Sequence, residues 1–422
     1  MTDQSQLSAD RLRLLYRLSQ TFNSSLDLDE VLNRVMDEVI AITRAERGFV
    51  MLRESDGHLR FHVARGIDQQ TIDTPEFHIS RGLVKRVAEE GQPLLTSDAQ
   101  SDDRLSMRHS VVYLGLRSIL CVPMHSKNKL IGIIYVDNRL QAGIFTQVDL
   151  ELLTSVAATA AIAIDNARLY QLAVEKGRLE RELQVARDLQ RTLLPRQTPQ
   201  LPGWEFISRW QPARQVSGDF YDFIPANQQI GVLVADVSDK GMAAALFMAL
   251  SRSILRASLG HVSPADGIAQ ANRLICADAA NGMFVTLFYG QLNPVTGELI
   301  YVNAGHDPPL FYQADSDQWQ ILPRTGMVLG IDDTAHFAQR AIQMEADDFL
   351  LLFTDGVTDA INSRQEEFGW ERLHRVVVDQ RRAPAAALMA TLEQTLHDFV
   401  GGSAPFDDIT TVIIKRLTAD GA

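Results

Sequence analysis

Cysteine is nearly absent: the 422 residues hold two, Cys121 and Cys276, both in apolar surroundings. That count argues against a disulfide framework and against a cysteine zinc site. Basic charge is also short, with 40 Lys and Arg against 53 Asp and Glu and a formal charge of −13. A general nucleic-acid binder needs a basic face, so that class is set aside. No run of 18 apolar residues occurs, and Met1 to Asp10 is polar. Neither a spanning helix nor a signal peptide is therefore expected. The longest apolar-looking segment, Val156 to Ile164, is short and rich in Ala. These absences lead to the expectation of a cytoplasmic protein with no membrane or nucleic-acid partner. What remains is ordinary globular composition, 46% hydrophobic and 22% charged, in a chain long enough for two or three domains.

The most informative stretch is Gly231 to Met248, G-V-L-V-A-D-V-S-D-K-G-M-A-A-A-L-F-M. Its Val-rich start reads as a buried strand and its Ala, Leu and Met end as a helix. Asp236 closes the strand, where a carboxylate is costly unless a cation or hydrogen-bond donors hold it. Two readings stand at this point: a hard-metal ligand, or a cap for the following helix.

Other carboxylates bear on that choice. Ser217-Gly218-Asp219-Phe220-Tyr221-Asp222 precedes Phe223 and Ile224. Phe349 to Phe353 is an apolar run followed by Thr354-Asp355-Gly356. Asp407-Asp408 opens the run Ile409 to Ile414. Each acid sits at one end of an apolar strand, so folding can gather them at one sheet edge. Several carboxylates cannot share a dry site uncompensated, because like charges raise one another's pKa. Two Mn²⁺ or Mg²⁺ ions satisfy that constraint and make water nucleophilic.

Residues 200–418 resemble the SpoIIE-type phosphatase domain, the bacterial branch of the metal-dependent protein phosphatases. The segments that carry the likeness are S-G-D-F-Y-D, A-D-V-S-D-K-G, M-F-V-T-L-F-Y-G (Met283 to Gly290), N-A-G-H-D-P-P (Asn303 to Pro309), T-D-G-V-T-D-A and D-D-I-T. The resemblance implies an α/β/β/α sandwich and places the metal ligands, which are the catalytic set, on Asp219, Asp236, Asp355 and Asp407. The backbone carbonyl of Val237 is a further ligand, and Asp408 stands ready to exchange roles with Asp407. Ser217 and Asp239 depart from the family pattern, each standing where Gly is common. His306 reads as part of a structural turn rather than as a proton donor.

The N-terminal part, residues 1–168, shows helical spacing through Leu12, Leu15, Leu18 and Phe22 and again through Val31, Leu32, Val35 and Val39, with Asp27 as a cap. Arg47 to Arg53, Leu59 to Ala64, Ser118 to Met124 and Lys129 to Asp137 read as strands, Gly82 opens a helix, and Gln147 to at least Tyr170 forms a closing helix. The fold class is α+β, in two domains. I-L-C-V-P-M, L-I-G-I-I-Y-V-D-N and F-T-Q-V-D-L-E-L-L resemble a GAF domain, an antiparallel sheet with helices that implies a small-molecule ligand. Leu150 replaces the Glu of the cyclic-nucleotide signature, which argues against that ligand. Cys121 reads as a packed structural thiol. His58, His62, His78, His109 and His125 lack metal-ligand spacing.

Residues 169–199 form the linker. Positions 169, 172, 176, 179, 183, 186, 190 and 193 hold Leu, Leu, Lys, Leu, Leu, Ala, Gln and Leu, an imperfect heptad stripe. The expectation is a parallel coiled coil and hence a homodimer, with a single helix lying on its own domain as the alternative. Lys176 and Gln190 are the weak points of the seam. The resemblance as a whole implies a protein serine/threonine phosphatase, controlled by its GAF sensor, that acts on a phosphorylated STAS-type anti-sigma-factor antagonist. The alternatives are a phosphatase of another phosphoprotein or small phosphoester, and a catalytically silent scaffold. The intact acidic set argues against the scaffold.

Overall fold

The computed structural model describes residues 2–68, 70–72, 79–99, 114–226, 228–279, 282–402 and 405–418. His78 and His109 lie outside them. The chain divides into two compact units, Met1–Arg178 and Leu179–Ala422.

The first unit begins with helices α1 (Thr2–Phe22) and α2 (Leu28–Thr43). Asp27 caps α2, its carboxylate accepting the Glu30 amide at 2.9 Å. Strands β1 (Arg47–Arg53), β2 (Leu59–Gly66), β3 (Leu94–Thr96), β4 (Ser118–Ser126) and β5 (Lys129–Asn138) form an antiparallel sheet in the order β2-β1-β5-β4-β3. Helix α3 (Arg81–Glu90) lies between β2 and β3 in sequence, and α4 (Gln147–Leu193) follows β5. The central strands β4 and β5 carry long buried apolar runs because both faces are covered, whereas the edge strand β2 alternates. Val50, Leu52, Leu120, Val122, Ile134 and Val136 join a core with α2 and the first half of α4. The alternate residues Phe49, Met51, Ile119, Cys121, Ile133 and Tyr135 pack with Leu83, Val84 and Val87 of α3. Cys121 is fully enclosed there, and burial pushes its thiol far above the ordinary range, as a structural cysteine requires.

Helix α4 qualifies the expectation drawn from apolar runs. An 18-residue window within it has mean hydropathy 1.4, enough by length and composition to cross a membrane. Its apolar character has another use: Leu153, Val156, Ala157, Ala160, Ala161 and Ile164 are buried in the first unit's core.

In the second unit, β6 (Trp204–Gln211), β7 (Phe220–Ala226) and β8 (Gln229–Val237) lead to helices α5 (Met242–Ser258) and α6 (Pro264–Asp278). Then follow β9 (Val285–Leu292), β10 (Glu298–Ala304), β11 (Leu310–Gln313), β12 (Gln318–Ile321), β13 (Arg340–Gln343) and β14 (Phe349–Phe353). Helices α7 (Gly369–Asp379) and α8 (Ala385–Val400) precede the final strand, β15 (Ile409–Arg416). Two five-stranded sheets result, β13-β10-β9-β8-β7 and β12-β11-β14-β15-β6. Their facing sides share one core, in which Val232, Val234 and Phe288 of one sheet join Leu350, Leu352, Val412 and Ile414 of the other. Alternate residues Leu351, Phe353 and Ile413 turn outward to Leu373, Val377, Leu388 and Leu392 of α7 and α8. Helices α5 and α6 cover the first sheet through Phe247, Met248, Ile268 and Ile275. The layers are α/β/β/α.

Candidate functional site

Strand register gathers the carboxylates. Strands β7 and β8 are antiparallel with Phe220 opposite Ala235, so Asp219, just before β7, meets Asp236 near the end of β8. In the second sheet Phe353 pairs with Thr411, and the amide of Thr354 reaches the carbonyl of Thr410 at 3.0 Å. That register sets Asp355, just past β14, at the same edge as Asp407 and Asp408, just before β15. Two acids thus hang from one sheet and three from the other.

Their environments differ. Asp219 is almost fully buried and accepts the Thr354 hydroxyl at 2.7 Å. Thr354 Oγ1 in turn accepts the Thr410 amide at 2.9 Å. Burial, then the charges of Asp236 and Asp408, hold the Asp219 carboxyl well above the usual carboxylate range. Asp236 is pushed up to about 7, first by burial and then by Asp355, while a hydrogen bond from Asp219 pulls the other way. Asp355 is raised to about 6 by burial and then by Asp407, Asp359 and Asp307.

Asp407 and Asp408 have separate tasks. Asp408 is a buttress: Oδ1 accepts the Ala213 amide at 2.7 Å and Oδ2 the Gly218 amide at 2.9 Å. Asp407 Oδ1 accepts the Asp408 amide at 2.9 Å, and its Oδ2 lies 2.6 Å from Lys240 Nζ. The helix-cap reading of Asp236 does not hold. The N-cap of α5 is Gly241, with no side-chain cap, and Asp236 lies in β8 on the far side of the Ser238–Lys240 turn. Asp239 in that turn has φ 80°, the left-handed conformation that favours Gly.

Glycines keep the edge open at two points. A Cβ on Gly218 would stand 3.0 Å from the Val237 carbonyl oxygen, and one on Gly356 only 1.9 Å from the Asp408 carbonyl oxygen. His306 is buried and neutral at pH 7, its pKa lowered to about 4 by burial, with Nδ1 2.8 Å from Thr286 Oγ1. Its amide donates to Asn303 Oδ1 at 2.9 Å, so the N-A-G-H segment is a self-bonded turn.

Gln190 departs from the sequence expectation. It sits 5% exposed at the C-terminal end of α4, within the second unit. Its Nε2 donates to the Ser217 carbonyl at 2.9 Å and its Oε1 accepts the Ser217 amide at 3.1 Å. The same Nε2 lies 3.4 Å from the Ala245 carbonyl of α5. The residue is therefore not a weak seam position between chains: its amide is engaged by the loop that carries Asp219. Periodicity alone cannot make this distinction, although a Gln in a Leu stripe was the visible sign. Lys240, Thr354 and the buttress role of Asp408 were likewise not read from the sequence.

The donor set is all oxygen, the chemistry of a hard divalent cation. Burial first, and neighbouring acids after it, raise the carboxyls of Asp219, Asp236 and Asp355, which marks a site where negative charge wants compensation. Among the described residues, no three of these acids already stand as a closed metal-binding group. The fit rests on the donor chemistry and on the convergence of strand ends.

Residues 226–417 match the family Stage II sporulation protein E (SpoIIE), and residues 25–165 match the GAF domain family. The GAF-family match thus lies within the first unit and the SpoIIE-family match within the second. Similar proteins include Protein IcfG of Synechocystis sp., 32% identical over 264 residues, which cover 56% of this chain and 41% of that protein. Phosphoserine phosphatase RsbU of Bacillus subtilis is 29% identical over 245 residues, 56% of this chain and 71% of its own. The chain thus spans less than half the length of the first of these relatives. Among solved structures, the SiaA-PP2C domain of Pseudomonas aeruginosa aligns with a TM-score of 0.53 at 20% identity, over 58% of this chain and all of that one, which is likeness of fold. The SpoIIE-family match runs from the last residue of β7 through β15, taking in Asp236, Asp355, Asp407 and Asp408.

Proposed function

We propose that this chain is a Mn²⁺- or Mg²⁺-dependent protein serine/threonine phosphatase governed by its GAF domain. The observation that carries the reading is the convergence of the strand ends that bear Asp219, Asp236, Asp355 and Asp407 at one edge of two sheets, where burial and then neighbouring acids raise the carboxyls of Asp219, Asp236 and Asp355. When bound, a pair of divalent cations supplies Lewis acidity that activates water and offsets phosphoryl charge. Asp219, Asp236, Asp355 and Asp407 hold those cations, and the Val237 carbonyl, left clear by Gly218, is a further donor. Asp408 holds the Ala213–Gly218 loop, and Thr354 orients Asp219. His306, buried and neutral, takes no proton at pH 7.

The substrate class we infer is a phosphorylated STAS-domain anti-sigma-factor antagonist, which places the enzyme in the cytoplasm; kinship with a relative named phosphoserine phosphatase supports a phosphoprotein. We further propose a homodimer. Leu179, Val185 and Leu189 of α4 are exposed, as are Met242 and Leu246 of α5, so each helix offers apolar surface to a second copy. A small molecule is proposed to bind the GAF domain in the concavity lined by Met51, Phe61, Ile79 and Val84 and rimmed by Arg53 and Arg81.

Asp236→Asn tests the catalytic claim, since it removes charge at nearly constant volume. Loss of Mn²⁺-dependent hydrolysis of p-nitrophenyl phosphate and of a phospho-STAS protein, with an unchanged circular dichroism spectrum, is expected. Full activity would rule the assignment out.

A further inference from the structure

Asp407 has one carboxylate oxygen engaged by the backbone amide of the next residue and one that faces outward, and the outward oxygen is already in contact with a cation. Oδ1 accepts the Asp408 amide, whereas Oδ2 lies 2.6 Å from the Lys240 ammonium. Lys240 reaches this place from the turn between β8 and α5. Asp239, in its left-handed conformation, holds that turn by accepting the Lys240 amide at 2.8 Å. The ammonium is fixed from a second side by Phe406, the residue beside Asp407. Nζ stands 4.7 Å from the ring centroid and donates to the Phe406 carbonyl at 3.4 Å. The side chains are 38% exposed at Lys240 and 26% at Asp407, so the ammonium can leave without a cavity opening.

From this geometry we propose that Lys240 is an internal competitor for the metal at Asp407. The inference rests on the metal reading above. Ammonium and divalent cation take the same oxygen in turn, because a cation at about 2.0–2.6 Å from Oδ2 would otherwise lie against a second positive centre. Lys240 thereby weakens metal binding at this ligand and neutralises one acid of the cluster when the metal leaves. Phe406 acts through Lys240, as the platform that keeps the ammonium in position.

The test is calorimetric titration of the full chain with Mn²⁺ alone, for wild type, Lys240→Met and Phe406→Ala. Lys240→Met is expected to bind Mn²⁺ about two- to fivefold more tightly, the range of one partly exposed ion pair. Phe406→Ala keeps the net charge and changes an exposed side chain, yet it is expected to move the affinity in the same direction. In chelator, Lys240→Met should melt below wild type, while Mn²⁺ should raise its melting temperature by more than it raises the wild type's. Unchanged affinity in both variants overturns the proposal. Tightening in Lys240→Met alone reduces the effect to long-range charge and also overturns it. A wild-type chain that binds no Mn²⁺ overturns the metal reading itself, and this inference with it.

Discussion

Replacing Gln190 by Ala should loosen the Asp219 loop and weaken the metal site without touching any proposed ligand. The side chain is buried and closes a two-way bridge with the Ser217 amide and carbonyl, plus a longer contact to Ala245. Ser217 is itself fully buried, so truncation leaves its backbone donor and acceptor unpaired. Each such group costs about 1–3 kcal/mol, which puts the variant about 2–6 kcal/mol below wild type. The measurement is convenient, because Trp204, Trp210, Trp319 and Trp370 are all the tryptophans of the chain and all lie in the second unit. Urea unfolding followed by tryptophan fluorescence therefore reports that unit alone. One residue separates Ser217 from Asp219, so Mn²⁺ affinity should also fall, by about 10-fold, the lower range for supports of a metal ligand. Gln190→Glu sharpens the test, since it keeps the acceptor for the Ser217 amide and turns an anion toward two carbonyls. A Gln190→Ala variant within about 0.5 kcal/mol of wild type, with unaltered Mn²⁺ binding, would refute the reasoning.

In chelator, the thermal midpoint should be higher at pH 6 than at pH 8. Asp236 and Asp355 have folded pKa values of about 7 and 6 against an ordinary 3.8, so the stability they contribute is lost as pH rises through those values, and Mn²⁺ should flatten the profile. His306, lowered to about 4, acts in the opposite sense between pH 6.5 and 4 and offsets part of the gain at pH 6, so the fall is cleanest from pH 6.5 upward. Gly356→Ala should destabilise the second unit by about 1–3 kcal/mol and abolish Mn²⁺ binding, because its Cβ would collide with the Asp408 backbone; an unperturbed variant would show that the edge can yield. Leu179→Lys with Leu183→Lys should give a monomer by light scattering whose phosphatase activity no longer follows the sensor. A wild-type chain already monomeric at micromolar concentration would exclude the dimer.

The acids were legible in the sequence because each sits at the end of an apolar strand, aromatic after Asp219 and Val-, Leu- or Ile-rich beside the others, where a charge has no place in a core. The strands of the first unit were legible too, although the unbroken apolar runs of β4 and β5 hid which residue faces which layer. Which of two adjacent acids faces outward was not legible. That depends on Asp408 meeting the amides of Ala213 and Gly218, about 190 positions away. Nor could the heptad stripe tell a partner helix from the chain's own loop, since both need the same helical period. Lys240 and Asp407 are joined only by folding, through a turn in which Asp239 holds a left-handed conformation that favours Gly.

The acidic edge is divided between layers. Asp219 and Asp236 belong to the sheet that α5 and α6 cover, Asp355 and Asp407 to the one that α7 and α8 cover; the two sheets are tied at this edge by hydrogen bonds such as Thr354 to Asp219 and Gly218 to Asp408, and behind it they meet through apolar packing. Such packing has little direction and tolerates a small slide of one sheet over the other. Any ligand that takes oxygens from both sides therefore acts as a rivet through the two plates of the sandwich. Its affinity measures their registry, and by reciprocity its presence stiffens that registry against shear.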